Sequence, residues 1–130
     1  MMEVDWLAIG VATVVAFVLG GLWYGPLFGK AWMMALGKTE ADIQPTPAPF
    51  IISFFTALLT CVVVAGLMGA LAIDGWIPGA AFGLLVGIGF IATAMASDTA
   101  FCGWGMPLFL IQAGYRVTYS VLMGAIIGAF

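Results

Sequence analysis

Arg116 is the only arginine in the sequence, and it lies within Gln112-Ala113-Gly114-Tyr115-Arg116-Val117-Thr118-Tyr119, inside the last long apolar segment. Gln112, Tyr115, Arg116 and Tyr119 follow the spacing i, i+3, i+4, i+7, which puts all four on one helical face. Arg116 stands nine residues past Pro107 in the sequence, about 13 Å along a helix and so near the middle of a bilayer. An arginine there costs about 2.5–3.5 kcal/mol on insertion scales. This face therefore turns into a bundle or toward a partner subunit. A cation walled by tyrosines favours a small anion or a polar solute over a cation.

Asp98 is the expected counter-charge. Helical side chains lean toward the helix N-terminus. Arg116 and Asp98, on antiparallel segments, would thus lean toward each other across an axial gap of about 6 Å. The other acids are placed less well: Glu3, Asp5 and Asp74 fall at the opposite interface, and Glu40 and Asp42 outside the hydrocarbon. Ser53, Thr56 and Thr60 in the second segment, and Thr93 and Ser97 in the third, belong to the same half of the membrane. The sequence therefore predicts a one-sided polar pocket around Arg116 and Asp98, with Gln112, Tyr115, Tyr119, Thr56, Thr60 and Ser97 in its wall. Two readings of the charge pair stay open. It fixes helix register, or it marks a solute site.

The elements that must carry these residues are membrane helices. The chain has 130 residues, of which 65% are hydrophobic and 7% charged, with a mean hydropathy of +1.23. A soluble domain of this size has too much surface for its volume to bury so much apolar area. Four segments of the length a bilayer requires fit the chain: about 4–24, 49–73, 77–100 and 107–130. The expected fold is an all-α integral membrane protein, a compact four-helix bundle in one domain, with the first segment retained as a helix.

Gly25-Pro26 is expected to break the first helix at the interface. A short interfacial helix follows, stopped by Gly37, within an interfacial segment of about 29–44. Thr39-Glu40-Ala41-Asp42 has the form of a capping box, and Pro45, Pro47 and Pro49 predict an extended linker. Trp6, Trp23, Tyr24, Lys30, Trp32, Trp76 and Trp104 are read as interface anchors. Small residues recur four apart: Ala8, Ala12, Ala16 and Gly20; Cys61, Ala65 and Gly69; Gly75, Gly79, Gly83 and Gly87; Ser120, Gly124 and Gly128. Such stripes let helices approach closely. Ala94 and Asp98 continue the face of Gly83 and Gly87, so Asp98 is expected to face a neighbouring helix rather than lipid.

Charge and composition exclude several classes. There is no histidine and no basic tract, and Cys61 and Cys102 lack paired spacing, so no metal, no cofactor and no nucleic-acid partner are expected. No nucleophile–base spacing or phosphate loop points to an enzyme. Lys30 and Lys38 share the first loop, and no other loop has Lys or Arg. The positive-inside rule then puts that loop in the cytoplasm and both termini outside.

Trp23-Tyr24-Gly25-Pro26-Leu27-Phe28-Gly29-Lys30-Ala31-Trp32, then Gly37-Lys38-Thr39-Glu40, and Ala113-Gly114-Tyr115 in the final helix resemble a family of small bacterial membrane proteins, domain of unknown function 1761. The resemblance covers most of the chain. It implies four membrane helices, no established activity and no catalytic residues. Two functions remain. One is permeation or binding of a small polar or anionic solute by a homo-oligomer, most simply a dimer, because four helices enclose little of a path. The other is a non-catalytic accessory role, docking another membrane protein or a lipid.

Overall fold

The structure is a computed structural model and describes residues 5–38 and 46–130. The start of the first segment at residue 4, the Thr39–Asp42 capping box and Pro45 lie outside the described residues. Six α-helices follow in order: α1 (Trp6–Leu22), α2 (Gly29–Leu36), α3 (Ala48–Ala70), α4 (Trp76–Val86), α5 (Thr93–Cys102) and α6 (Met106–Ala129). Two π-helical pieces, Trp23–Leu27 and Gly87–Ala92, extend α1 and join α4 to α5. Four continuous helices are thereby long and apolar enough to cross a membrane: Trp6–Leu27, Ala48–Ala70, Trp76–Cys102 and Met106–Ala129.

Asp5 begins the first span. Its carboxylate accepts from the amides of Leu7 at 3.0 Å and Ala8 at 3.2 Å, satisfying two of the donors that every helix start leaves open. At the other end the expected break at Gly25-Pro26 does not occur. The Phe28 amide donates to Trp23 O at 2.8 Å, an i to i−5 bond. The wider π turn takes up a proline, which lacks an N–H and would crowd the carbonyl four residues back in an α-helix. The chain then turns into α2, where a Cβ on Gly29 would lie 2.8 Å from Tyr24 O. Gly37 closes α2 in the left-handed region, φ +71°.

The bundle is centred on α6. Its most extensive contact is with α4, and it also packs against α1 and, less, α3; α3 lies chiefly on α1. The α4–α6 contact is backbone on backbone. A Cβ on Gly79 would lie 2.9 Å from the Gly124 carbonyl carbon, one on Gly83 2.7 Å from that of Ser120, and one on Gly128 2.8 Å from that of Gly75. The Gly75 amide donates to Gly128 O at 3.0 Å, tying the start of α4 to the end of α6. Ala12 and Ala16 of α1 and Cys61 and Ala65 of α3 are buried among Ile9, Tyr115, Tyr119 and Met123, and Ala8 is buried too. Their small size brings the helices close enough for dispersion to hold them where lipid supplies no hydrophobic drive. Outward faces carry large apolar residues such as Val14, Leu59 and Leu85.

Candidate functional site

Arg116 does not meet Asp98. Its Nη1 donates to the Tyr119 hydroxyl at 3.3 Å, and its guanidinium carbon lies 5.4 Å from the Tyr115 ring centre and 5.5 Å from that of Tyr119. Asp98 is exposed, as is Ser97, and no residue of α5 is buried. The register explains the distance. Gly87 packs against Val117, so Arg116 sits at the level of the π segment, and Asp98 lies about three helical turns further along. The face also changes. A π segment has more than four residues per turn, so the helical phase carried from Gly83 and Gly87 is lost before Asp98. Continuing the glycine face through Gly87–Ala92 is the step at which the sequence expectation fails.

The hydroxyls expected around the pair are also engaged elsewhere. Thr56 donates to Ser53 O at 3.0 Å and Thr60 to Thr56 O at 2.8 Å, and Thr56 is exposed. Such back-bonding satisfies a hydroxyl within its own helix. Gln112 keeps its place on the Arg116 face and is half-buried. The two best-formed concavities are apolar surface grooves. One, of about 270 Å³, is lined by Phe17, Phe50, Ile51, Phe54 and Phe55. The other, of about 440 Å³, is lined by Trp6, Leu7, Gly10, Val11, Val14 and Val15. Neither contains Arg116.

What surrounds Arg116 instead is an aromatic cradle built from three elements. The Tyr115 hydroxyl donates to Ala16 O at 3.0 Å, passing over Gly20, where a Cβ would lie 2.9 Å from the phenol oxygen. Tyr115 and Tyr119 meet edge to face at 5.0 Å. Tyr24 reaches Tyr115 at 5.4 Å from the π turn, and Trp32 of α2 stacks on Tyr24 at 4.8 Å. Trp23 donates its Nε1 proton to Ile111 O at 2.9 Å, in space that Gly114 leaves open; a Cβ there would lie 3.1 Å from the indole. The Trp32 Nε1 is buried and has no hydrogen-bond partner. Trp23, Tyr24 and Trp32 thus turn inward, whereas Trp6, Trp76 and Trp104 are exposed as interface anchors would be.

Magnitudes decide what the cradle does. Two cation–π faces contribute about 0.5–2 kcal/mol each and the phenol hydrogen bond roughly 1 kcal/mol. Together they match the insertion cost of about 2.5–3.5 kcal/mol. The tyrosines are therefore sufficient to hold the guanidinium at this depth. They do not neutralise it, and no carboxylate among the described residues pairs with it.

The fold and this cluster define a small multi-pass helical membrane protein with a cation held among aromatic rings near the middle of its central helix. A family model described as "Protein of unknown function (DUF1761)" matches residues 7–128, and the chain belongs to that family. Of the stretches that carry the likeness in sequence, the aromatic run after α1 and Ala113-Gly114-Tyr115 are brought into contact by the fold. Neither a curated protein nor a solved structure matches the chain.

Proposed function

We propose that the protein binds a small anionic or polar solute at the Arg116–tyrosine cluster, and that it is not an enzyme. The observation that carries this reading is a half-buried guanidinium held, among the described residues, by one phenol and two ring faces. A cation at such depth keeps a strong field in a low dielectric, and an anion is the species that gains from it. Gln112, on the same face, adds an amide. Permeation would need more than one copy, most simply a two-fold dimer, because four helices enclose little of a path. By the lysine bias, the Lys30 loop faces the cytoplasm and both termini lie outside, in a bacterial inner membrane.

Trp23, whose ring centre is 6.4 Å from that of Tyr115, is a reporter for binding. Tryptophan fluorescence of the protein in nanodiscs is titrated with chloride, inorganic phosphate and acetate. Saturable quenching that weakens at least about tenfold in Arg116→Gln, equivalent to roughly 1.4 kcal/mol, is the expected result. Equal binding by both proteins, or no saturable change with any of the three anions, removes the reading. A second reading, an accessory subunit, draws on α5, whose uncovered surface is small or polar (Thr93, Ala94, Ala96, Ser97, Asp98) up to the exposed Phe101 near its end. Such side chains pack against helices rather than lipid. A partner helix on α5 would leave the titration silent and protect Ser97→Cys from thiol reagents in native membranes but not in the purified protein.

A further inference from the structure

The third span is divided mechanically at the depth of Arg116. Below the division α4 is fixed, with Gly79 and Gly83 in backbone contact with α6 and the Gly75 amide bonded to Gly128 O. Above it α5 has no buried residue. Its far end is closed by Gly103 in the left-handed region, φ +71°, and by the Trp104 amide donating to Thr99 O at 3.1 Å, so α5 ends cleanly and holds together as one piece. Between the halves lies the π segment Gly87–Ala92. It contains two glycines, and π geometry inside an α-helix is strained relative to the regular form. A Cβ on Gly89 would meet only Leu85 Cδ1, at 4.0 Å, so no packing restrains that residue.

We propose that the third span is a hinged helix: α5 swings as a unit about Gly87–Ala92 while α4 stays with α6, and the swing regulates access to Arg116. Gly87 packs on Val117, the neighbour of Arg116; a Cβ on Gly87 would lie 3.0 Å from Val117 Cα. The pivot is therefore beside the guanidinium. An arm the length of α5 is about 15 Å, so a swing of roughly 20° moves its tip by about 5 Å. That is enough to open or close a lateral gap between α5 and α3, whose bundle contacts are with α1, α6 and α4. The gating role rests on the anion reading of Arg116; the motion does not.

Cys102, exposed at the end of α5, is a natural labelling position, and the buried Cys61 is replaced by alanine to leave it alone. Spin labels at Cys102 and at Ile77→Cys span the hinge. A control pair at Ile77→Cys and Leu110→Cys spans only the fixed α4–α6 pair; Ile77 and Leu110 are both exposed. In nanodiscs the hinge pair is expected to give a distance distribution roughly twice as wide as the control, and Gly89→Ala to bring it near the control width. A hinge pair no wider than the control, or one unchanged by Gly89→Ala, overturns the hinge. Saturating inorganic phosphate is expected to shift the hinge-pair distance in wild type and not in Arg116→Gln. No shift while phosphate binding persists overturns the gating role alone. Absence of phosphate binding, with the wide distribution retained, counts against the anion reading and leaves the hinge standing.

Discussion

Replacing Gly83 by alanine tests the contact on which the bundle depends. The new Cβ would lie 2.7 Å from the Ser120 carbonyl carbon and 2.9 Å from Val121 Cα. Ordinary carbon contacts begin near 3.5 Å. Both obstacles are backbone, so no rotamer change relieves them, and α4 and α6 must part by about 1 Å. A radial gap of that size forfeits a quarter to a half of each contact's attraction along the interface. Alanine recovers about 0.5–1 kcal/mol of helix propensity, against an overpacking cost of about 1–3 kcal/mol. The expected net loss is about 1–2 kcal/mol. Gly10→Ala and Gly66→Ala are the comparison, since nothing lies within 4 Å of a Cβ at either position. There only the propensity term acts, and the expected change is zero to about 1 kcal/mol stabilising. Unfolding of each variant by SDS in mixed micelles, followed by tryptophan fluorescence and circular dichroism, measures the difference. If Gly83→Ala is as stable as Gly10→Ala, the backbone contact between α4 and α6 is not what holds the bundle.

Two further outcomes are expected from single side chains. Asp5→Ala removes the acceptor for the Leu7 and Ala8 amides and should cost about 1 kcal/mol in the same unfolding assay, whereas Asp5→Asn should cost much less. Arg116→Ala and Asp98→Ala should act additively, to within about 0.5 kcal/mol, in a double-mutant cycle. A coupling beyond that would mean the two charges meet, contrary to the Arg116–Tyr119 bond.

Composition and segment length made the four spans legible, because the bilayer imposes one length on every crossing element. The small-residue stripes were legible for a similar reason: four-residue spacing keeps one face on any straight helix. Both kinds of reasoning fail where a helix stops being α. Gly25-Pro26 resembles a terminator in sequence, yet the π turn absorbs it. Nothing in Gly87-Ile88-Gly89-Phe90-Ile91-Ala92 announces a π segment except its two glycines, and the Asp98 face was misplaced for that reason. The aromatic cradle was half legible. Tyr115 and Tyr119 followed from helical spacing. Trp23, Tyr24 and Trp32 resembled interface anchors because local sequence does not say which way a chain turns after a helix. The signal that was available is the density of aromatics around Gly25-Pro26, more than anchoring requires.

The central position of α6 bears on how the chain is made. α1 and α4 find their main partner in α6, which is synthesised after both. Until that helix enters the bilayer, the alanines of α1 have only α3 to close against, and the glycines of α4 lack the backbone they pack on. The third span must therefore wait loosely beside the α1–α3 pair, and Tyr115, Arg116 and Tyr119 arrive together as the locking piece. A ribosome stalled before Met106 would leave a product with three of the four crossing helices and no partner for α4, the kind of species that membrane proteases remove.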